Sequence, residues 1–177
     1  MTEGQQKVYA ICQEYQFLIP RDLEGKIDEE YDYSYISLGI PKGWSKLFFQ
    51  MCADLKEILI QEQCLDTFYF IDVKEKYNEL LCFGSNCSSN VSKLLQKYQY
   101  ISRFVCVQCG KPAVYETSKG YIESFCKDCW KNVRQHRSVN TLEFVNTFEI
   151  IHFSKGQHHN QVVDVSDEWN RYLKNNT

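Results

Sequence analysis

The clearest pattern along the chain is an apolar stripe. Trp44, Leu47, Phe48, Met51, Leu55, Ile58 and Leu59 recur at helical spacing, with Lys46, Gln50, Asp54, Glu57 and Gln61 on the opposite side. A stripe of this kind buries one face of an amphipathic helix, and it predicts a central packing helix from about Gly43 to Gln63. Val8, Ile11, Cys12 and Tyr15 repeat the pattern more briefly and predict a short helix within residues 3–15. The runs TFYFIDV (67–73) and Leu80–Phe83 are rich in strand-forming residues, and the polar KEKYNE between them suits a hairpin connection. Ser88, Ser89 and Asn90 are candidate N-caps for a helix carrying Val91, Leu94, Leu95, Tyr98 and Ile101.

Two stretches lack helical periodicity. From Phe17 to Gly43, Pro20, Gly25, Gly39 and Pro41 punctuate an irregular segment that contains the run DEEYDYSY, Asp28 to Tyr35. Connections of this length are generally functional or mobile. Near the C-terminus, Leu142, Phe144, Phe148, Ile150 and His152 alternate, broken only at Asn146, and predict one strand over Thr141–Phe153. Gly156 marks a turn, Gln161–Val165 a returning strand, and Asp167–Leu173 a short helix capped by Ser166.

Cysteine spacing brings chemistry into this outline. Cys106, Cys109, Cys126 and Cys129 form C-x2-C-x16-C-x2-C, in which each pair can fold as a tight knuckle whose two sulfurs face one metal ion. Val114–Glu116 and Tyr121–Glu123 are expected as strands around the turn Ser118-Lys119-Gly120, and Gly110 is expected to close the first knuckle with a positive φ. Lys111 and Lys127 are placed to offset the negative charge of the centre. A closed set of four thiolates is the composition of a structural Zn2+ site. An iron–sulfur cluster uses the same ligands, and a thioredoxin-like redox pair is a further alternative. Cys12, Cys52, Cys64, Cys82 and Cys87 have no partners at ligand spacing and read mostly as buried thiols.

Charge divides the chain. Residues 1–80 carry 15 acidic and 8 basic side chains, whereas residues 81–177 carry 8 and 12. The acidic half contains the first candidate interaction surface, Asp28, Glu29, Glu30, Tyr31, Asp32, Tyr33 and Tyr35, where carboxylates and phenols suit a host protein with a basic surface. The basic half contains the second, Lys127, Lys131 and Arg134 with Trp130 and Arg137, on a helix expected to start at the second knuckle. Those groups could follow phosphates and stack on a base, although an overall pI of 5.8 argues against a dedicated nucleic-acid binder. The four histidines, His136, His152, His158 and His159, lack a ligand motif, and Asp72, Lys74, Glu75 and Lys76 read as a charged hairpin turn, so a metal-dependent hydrolase or nuclease ranks third. Neither a secretory signal nor an apolar run of bilayer length is present, so a cytoplasmic location is expected.

Several blocks in order, FLIPRDLEGKIDEEYDYSYISLG, PKGWSKLFFQMCADLKEIL, FIDVKEKYNELLCF, ISRFVCVQCGKPA and FCKDCW, resemble a family of small proteins from phages and from gut-type bacterial and mobile-element genomes. The resemblance spans roughly residues 15–132 and includes all four CxxC cysteines. The family's VKEK block is followed by a glycine-containing Leu-Arg-aromatic strand, whereas this chain has Tyr77-Asn78-Glu79-Leu80-Leu81-Cys82-Phe83, a partial match. The resemblance implies a zinc-binding fold and a phage context, and it carries over no catalytic residue.

Together these readings predict an α+β fold with a helix and β-hairpin core, a zinc-ribbon or treble-clef-like module and a C-terminal β-hairpin. The expected segments are 1–103, 104–137 and 138–177, packed as one unit. The leading functional expectation is a non-catalytic interaction protein of the phage host-defence-inhibitor kind. A zinc-ribbon nucleic-acid-binding regulator is the alternative.

Overall fold

The long apolar stripe forms helix α1, Ser45–Gln61, entered through a 3-10 turn at Lys42–Trp44. The computed structural model describes residues 10–19, 21, 26–27, 39–133, 138–154 and 157–176, with backbone alone at 151–154 and 157–159. Leu47, Phe48, Met51, Leu55 and Leu59 are buried as the spacing predicts, and Cys52 joins them. Residues 10–14 are helical, and Cys12, Tyr15, Phe17 and Leu18 pack into the same cluster.

The first hairpin differs from expectation in register. Strand β1 is Phe70–Lys76 and β2 is Glu79–Gly84, so the charged KEK residues lie in the ladder and only Tyr77 and Asn78 turn. Both have positive φ, 55° and 64°, the requirement of a two-residue type I′ turn. The strand starts three residues late because the amides of Thr67 and Phe68 bond back to the Cys64 carbonyl, closing the turn after α1. Gly39 lies along the free edge of β1, where its carbonyl accepts from the Glu75 amide at 2.7 Å.

Helix α2, Ser89–Ser102, begins where the caps predict: the Ser88 hydroxyl accepts from the Val91 amide. It buries Val91, Leu94, Leu95, Tyr98 and Ile101 against α1 and β2. The chain then enters a three-stranded antiparallel sheet in the order β4-β3-β5, made of β3 (Tyr115–Thr117), β4 (Ser124–Phe125) and β5 (Val139–Thr141). The predicted strand at 121–123 is therefore displaced to 124–125. Thr117 causes the shift: its hydroxyl donates to the Tyr121 carbonyl and accepts from the Glu123 amide, holding residues 118–123 as a wide turn.

Helix α3 is a single turn, Lys127–Trp130. It does not extend through Lys131, and Arg134, His136 and Arg137 lie outside the described residues. The long C-terminal strand expected over Thr141–Phe153 is also corrected. It divides into β5 and β6 (Thr147–Ser154), because Phe144 leaves the alternation to pack edge-on against Phe104 and to stack on Trp169 at 4.4 Å. Strand β7, Gln157–Asp164, returns antiparallel to β6 and is longer than predicted.

Helix α4, Ser166–Asn176, closes the fold. Ser166 is its first residue rather than its cap: the Asp164 carboxylate accepts from both the Ser166 amide and hydroxyl, and that contact holds the Asp164 carboxyl below its ordinary range. Arg171 on α4 forks onto Asp54 of α1 at 2.6 and 2.8 Å. Trp169 and Tyr172 enter the buried cluster that also contains Trp44, Tyr98, Val105, Cys106 and Phe125. Segments from both ends of the chain and from the cysteine-rich region thus share one core in an α+β fold. Among the described residues no helix is long and apolar enough to cross a membrane.

Candidate metal centre

Cys106 follows α2 by four residues. Its amide donates to the Lys111 carbonyl at 2.9 Å, while the Gly110 amide donates back to the Cys106 carbonyl at 3.0 Å. Gly110 has φ +78°, the left-handed conformation predicted for the end of this knuckle. The second knuckle is built differently. Cys126 is the N-cap of α3, and its sulfur accepts from the Cys129 amide at 3.4 Å.

The β3–β4 hairpin sets the distance between knuckles. The Val107 amide bonds the Ser124 carbonyl at 3.0 Å and the Val114 amide bonds the Phe125 carbonyl at 2.9 Å. As a result the four cysteine sulfurs lie within 4.8 Å of one another, and those of Cys109 and Cys126 are 3.6 Å apart. Sulfurs about 2.3 Å from a tetrahedral ion stand roughly 3.8 Å apart, so the cluster fits one ion with modest contraction. The set can hold a metal, and it belongs to a zinc-ribbon-like module. Among the described residues no histidine or carboxylate joins the four cysteines in that group.

Without a cation the arrangement is electrostatically uneven. Burial pushes the Cys109 and Cys129 thiols up. Burial acts upward on Cys126 as well, yet bonds to its sulfur, led by the Cys129 backbone, bring it below its ordinary value. Four thiolates this close repel one another, and a divalent cation removes that repulsion. Nearby, the Asp128 carboxylate lies 3.4 Å from both Lys111 and Lys131, which hold it below the usual carboxylate range. Lys111 is therefore placed beside the centre as expected, and Lys127 begins α3, exposed.

The first knuckle is locked into the core by residues whose role the sequence did not reveal. The Gly43 amide donates to Val107 and the Trp44 indole to the Val105 carbonyl at 3.0 Å. The Tyr172 hydroxyl donates to the Gly110 carbonyl at 2.5 Å. A Cβ on Gly43 would come within 2.8 Å of the Gly110 nitrogen, so the start of α1 lies directly on the knuckle. The only sequence signal for this contact was a glycine beside a tryptophan at a helix start. A second contact joins the module to β1–β2: Asn78, buried at the hairpin tip, donates to Glu116 and to Ser124, and Tyr121 donates to Glu75.

No protein-family model, curated protein or solved structure matches this chain. Its chemistry must be read from its own residues.

The remaining candidates separate by location. Asp28, Glu29, Glu30, Tyr31, Asp32, Tyr33 and Tyr35 lie outside the described residues. In the basic set, Trp130 packs its half-buried ring against Tyr115 and Phe125, and Lys131 engages Asp128. Helix α3 ends at Trp130, so Lys131 follows it, and Arg134 and Arg137 lie outside the described residues. His152 belongs to β6, and His158 and His159 to β7, described by backbone only. Asp72, Lys74, Glu75 and Lys76 lie in β1 rather than in a turn: Lys74 pairs with Asp72, and Glu75 receives the Asn78 amide.

Proposed function

We propose that the protein is a non-catalytic interaction protein whose fold is completed by one structural zinc ion on Cys106, Cys109, Cys126 and Cys129. The observation that carries this reading is the convergence of four sulfurs within 4.8 Å, with no other donor in the group among the described residues. Closed thiolate sets stabilise structure, whereas catalytic zinc sites keep a position for water. Zinc joins two backbone knuckles that the hairpin has already aligned. Metal analysis of protein purified without added metal should find one zinc per chain. Iron with acid-labile sulfide and visible absorbance would replace zinc by a cluster.

The interaction role rests on the acidic tyrosine segment, Asp28–Tyr35, and on the resemblance to phage and mobile-element proteins. On this reading the protein acts in the host cytoplasm, where the segment engages a basic surface of a host defence or nucleic-acid-processing protein and inhibits it. Gly39, four residues after Tyr35 in sequence, is anchored to β1 through its carbonyl. Affinity capture from host lysate should yield a partner that is lost when Asp28, Glu29, Glu30 and Asp32 are changed to Lys. Retention of the same partner by that variant removes the segment from the interface.

A further inference from the structure

The four cysteines of the centre are not equally protected. Cys106 and Cys126 are 0% and 5% exposed, Cys129 is half-buried, and Cys109 is exposed. Cys109 also lies across the centre from Cys126, on the opposite knuckle, with only 3.6 Å between the sulfurs. A sulfur bound to a metal is held as thiolate at neutral pH, the nucleophilic form.

The cysteines outside the centre provide the contrast. Burial pushes Cys12 up to about 11 and drives Cys52 and Cys82 upward as well. Cys87 is exposed, but burial still raises it, against a smaller opposing effect from the Gly84 backbone. These four are therefore held as thiols, the less reactive form, even where solvent reaches them.

We propose that Cys109 is an oxidant-sensitive site, and that a two-electron oxidant of the hydroperoxide class joins it to Cys126 across the two knuckles and thereby releases the metal. The inference rests on the zinc reading above. Cys109 thiolate attacks one oxygen of hydrogen peroxide; a sulfur–oxygen bond forms, the oxygen–oxygen bond breaks, and hydroxide leaves to be protonated by solvent. Cys126 then attacks the Cys109 sulfur; the disulfide forms, the sulfur–oxygen bond breaks, and a second hydroxide is protonated to water. The two thiolates give up two electrons and the peroxide gains them. Only Cys106 and Cys129 then remain as donors, too few for a tetrahedral structural site.

The test begins with the metal content of the untreated full-length protein, since a chain that carries no zinc fails the zinc reading before any oxidant is added. Zinc-loaded protein is then titrated with hydrogen peroxide beside a chromophoric zinc indicator, followed by alkylation and non-reducing peptide mapping. The expected result is about one zinc released per chain, together with a peptide pair linked through Cys109 and Cys126, both reversed by dithiothreitol and zinc. Cys87→Ser should leave this response unchanged. Retained zinc with oxidation confined to Cys87, zinc release abolished in Cys87→Ser, or a disulfide confined to one knuckle would each overturn the proposal while leaving the zinc reading in place.

Discussion

The two knuckles share a CxxC spacing and differ in what surrounds them. The first is built into the core: Cys106, Val107 and Gly110 are buried, and three separate elements bond to its backbone. The second lies nearer the surface: Cys126 is buried, but Lys127 and Asp128 are exposed and Trp130 packs half-buried on Tyr115 and Phe125. Equal ligand geometry thus coexists with unequal support. A metal bound there would therefore have different tasks on its two sides: it would add one more restraint to a knuckle already held, and supply most of the restraint on the other.

Removing the metal is the strongest way to break that comparison. Chelation, or Cys126→Ser, should release residues 126–133 first, because structural zinc can contribute on the order of 10 kcal/mol to folding and little else holds this segment. Hydrogen exchange should show faster exchange there than at Val105–Gly110. Equal and simultaneous loss of protection in both knuckles would mean the first draws no independent support from the core.

Two glycines with nearly the same backbone conformation give the next test. Gly110 and Gly120 have φ of +78° and +77°, so an alanine at either carries a similar backbone cost of about 1 kcal/mol. At Gly110 the new Cβ would also lie 2.6 Å from the Gly43 carbonyl oxygen, whereas at Gly120 it meets nothing within 4 Å. Gly110→Ala should therefore cost roughly 1–3 kcal/mol more than Gly120→Ala in denaturant unfolding. Similar losses would show that the start of α1 yields easily.

Tyr172→Phe removes one hydroxyl and leaves the Gly110 carbonyl without that donor. A loss of about 1–3 kcal/mol is expected in the metal-loaded protein, read as a lower melting temperature. At the second knuckle, Asp128→Asn breaks two contacts to exposed lysines and should leave the melting temperature within error of the wild type. A larger effect at Asp128 than at Tyr172 would reverse the assignment of which knuckle the core supports.

Much of this architecture was legible because it depends on neighbours in sequence. The α1 stripe, the Ser88 cap, the glycine at the end of the first knuckle and the ligand set each occupy a few successive turns or one short loop. The errors fall where a distant contact overrides a local pattern. Alternation through residues 141–153, broken only at Asn146, predicts one strand, yet the contacts of Phe144 with Phe104 and Trp169 divide it. The KEKYNE segment looked like a polar loop, yet two positive-φ residues suffice to turn the chain and leave its lysines and glutamates in the ladder.

The sequence by itself determined which four cysteines could hold a metal, because the spacing within each pair lets its two sulfurs face one ion. Only the tertiary structure decided that one knuckle would be core and the other surface. That outcome depends on Trp44 meeting Val105, 61 residues away, and Tyr172 meeting Gly110, 62 residues away. No local rule encodes such pairs, since they form when helices at opposite ends of the chain bury their apolar faces together and bring their polar atoms to the same backbone.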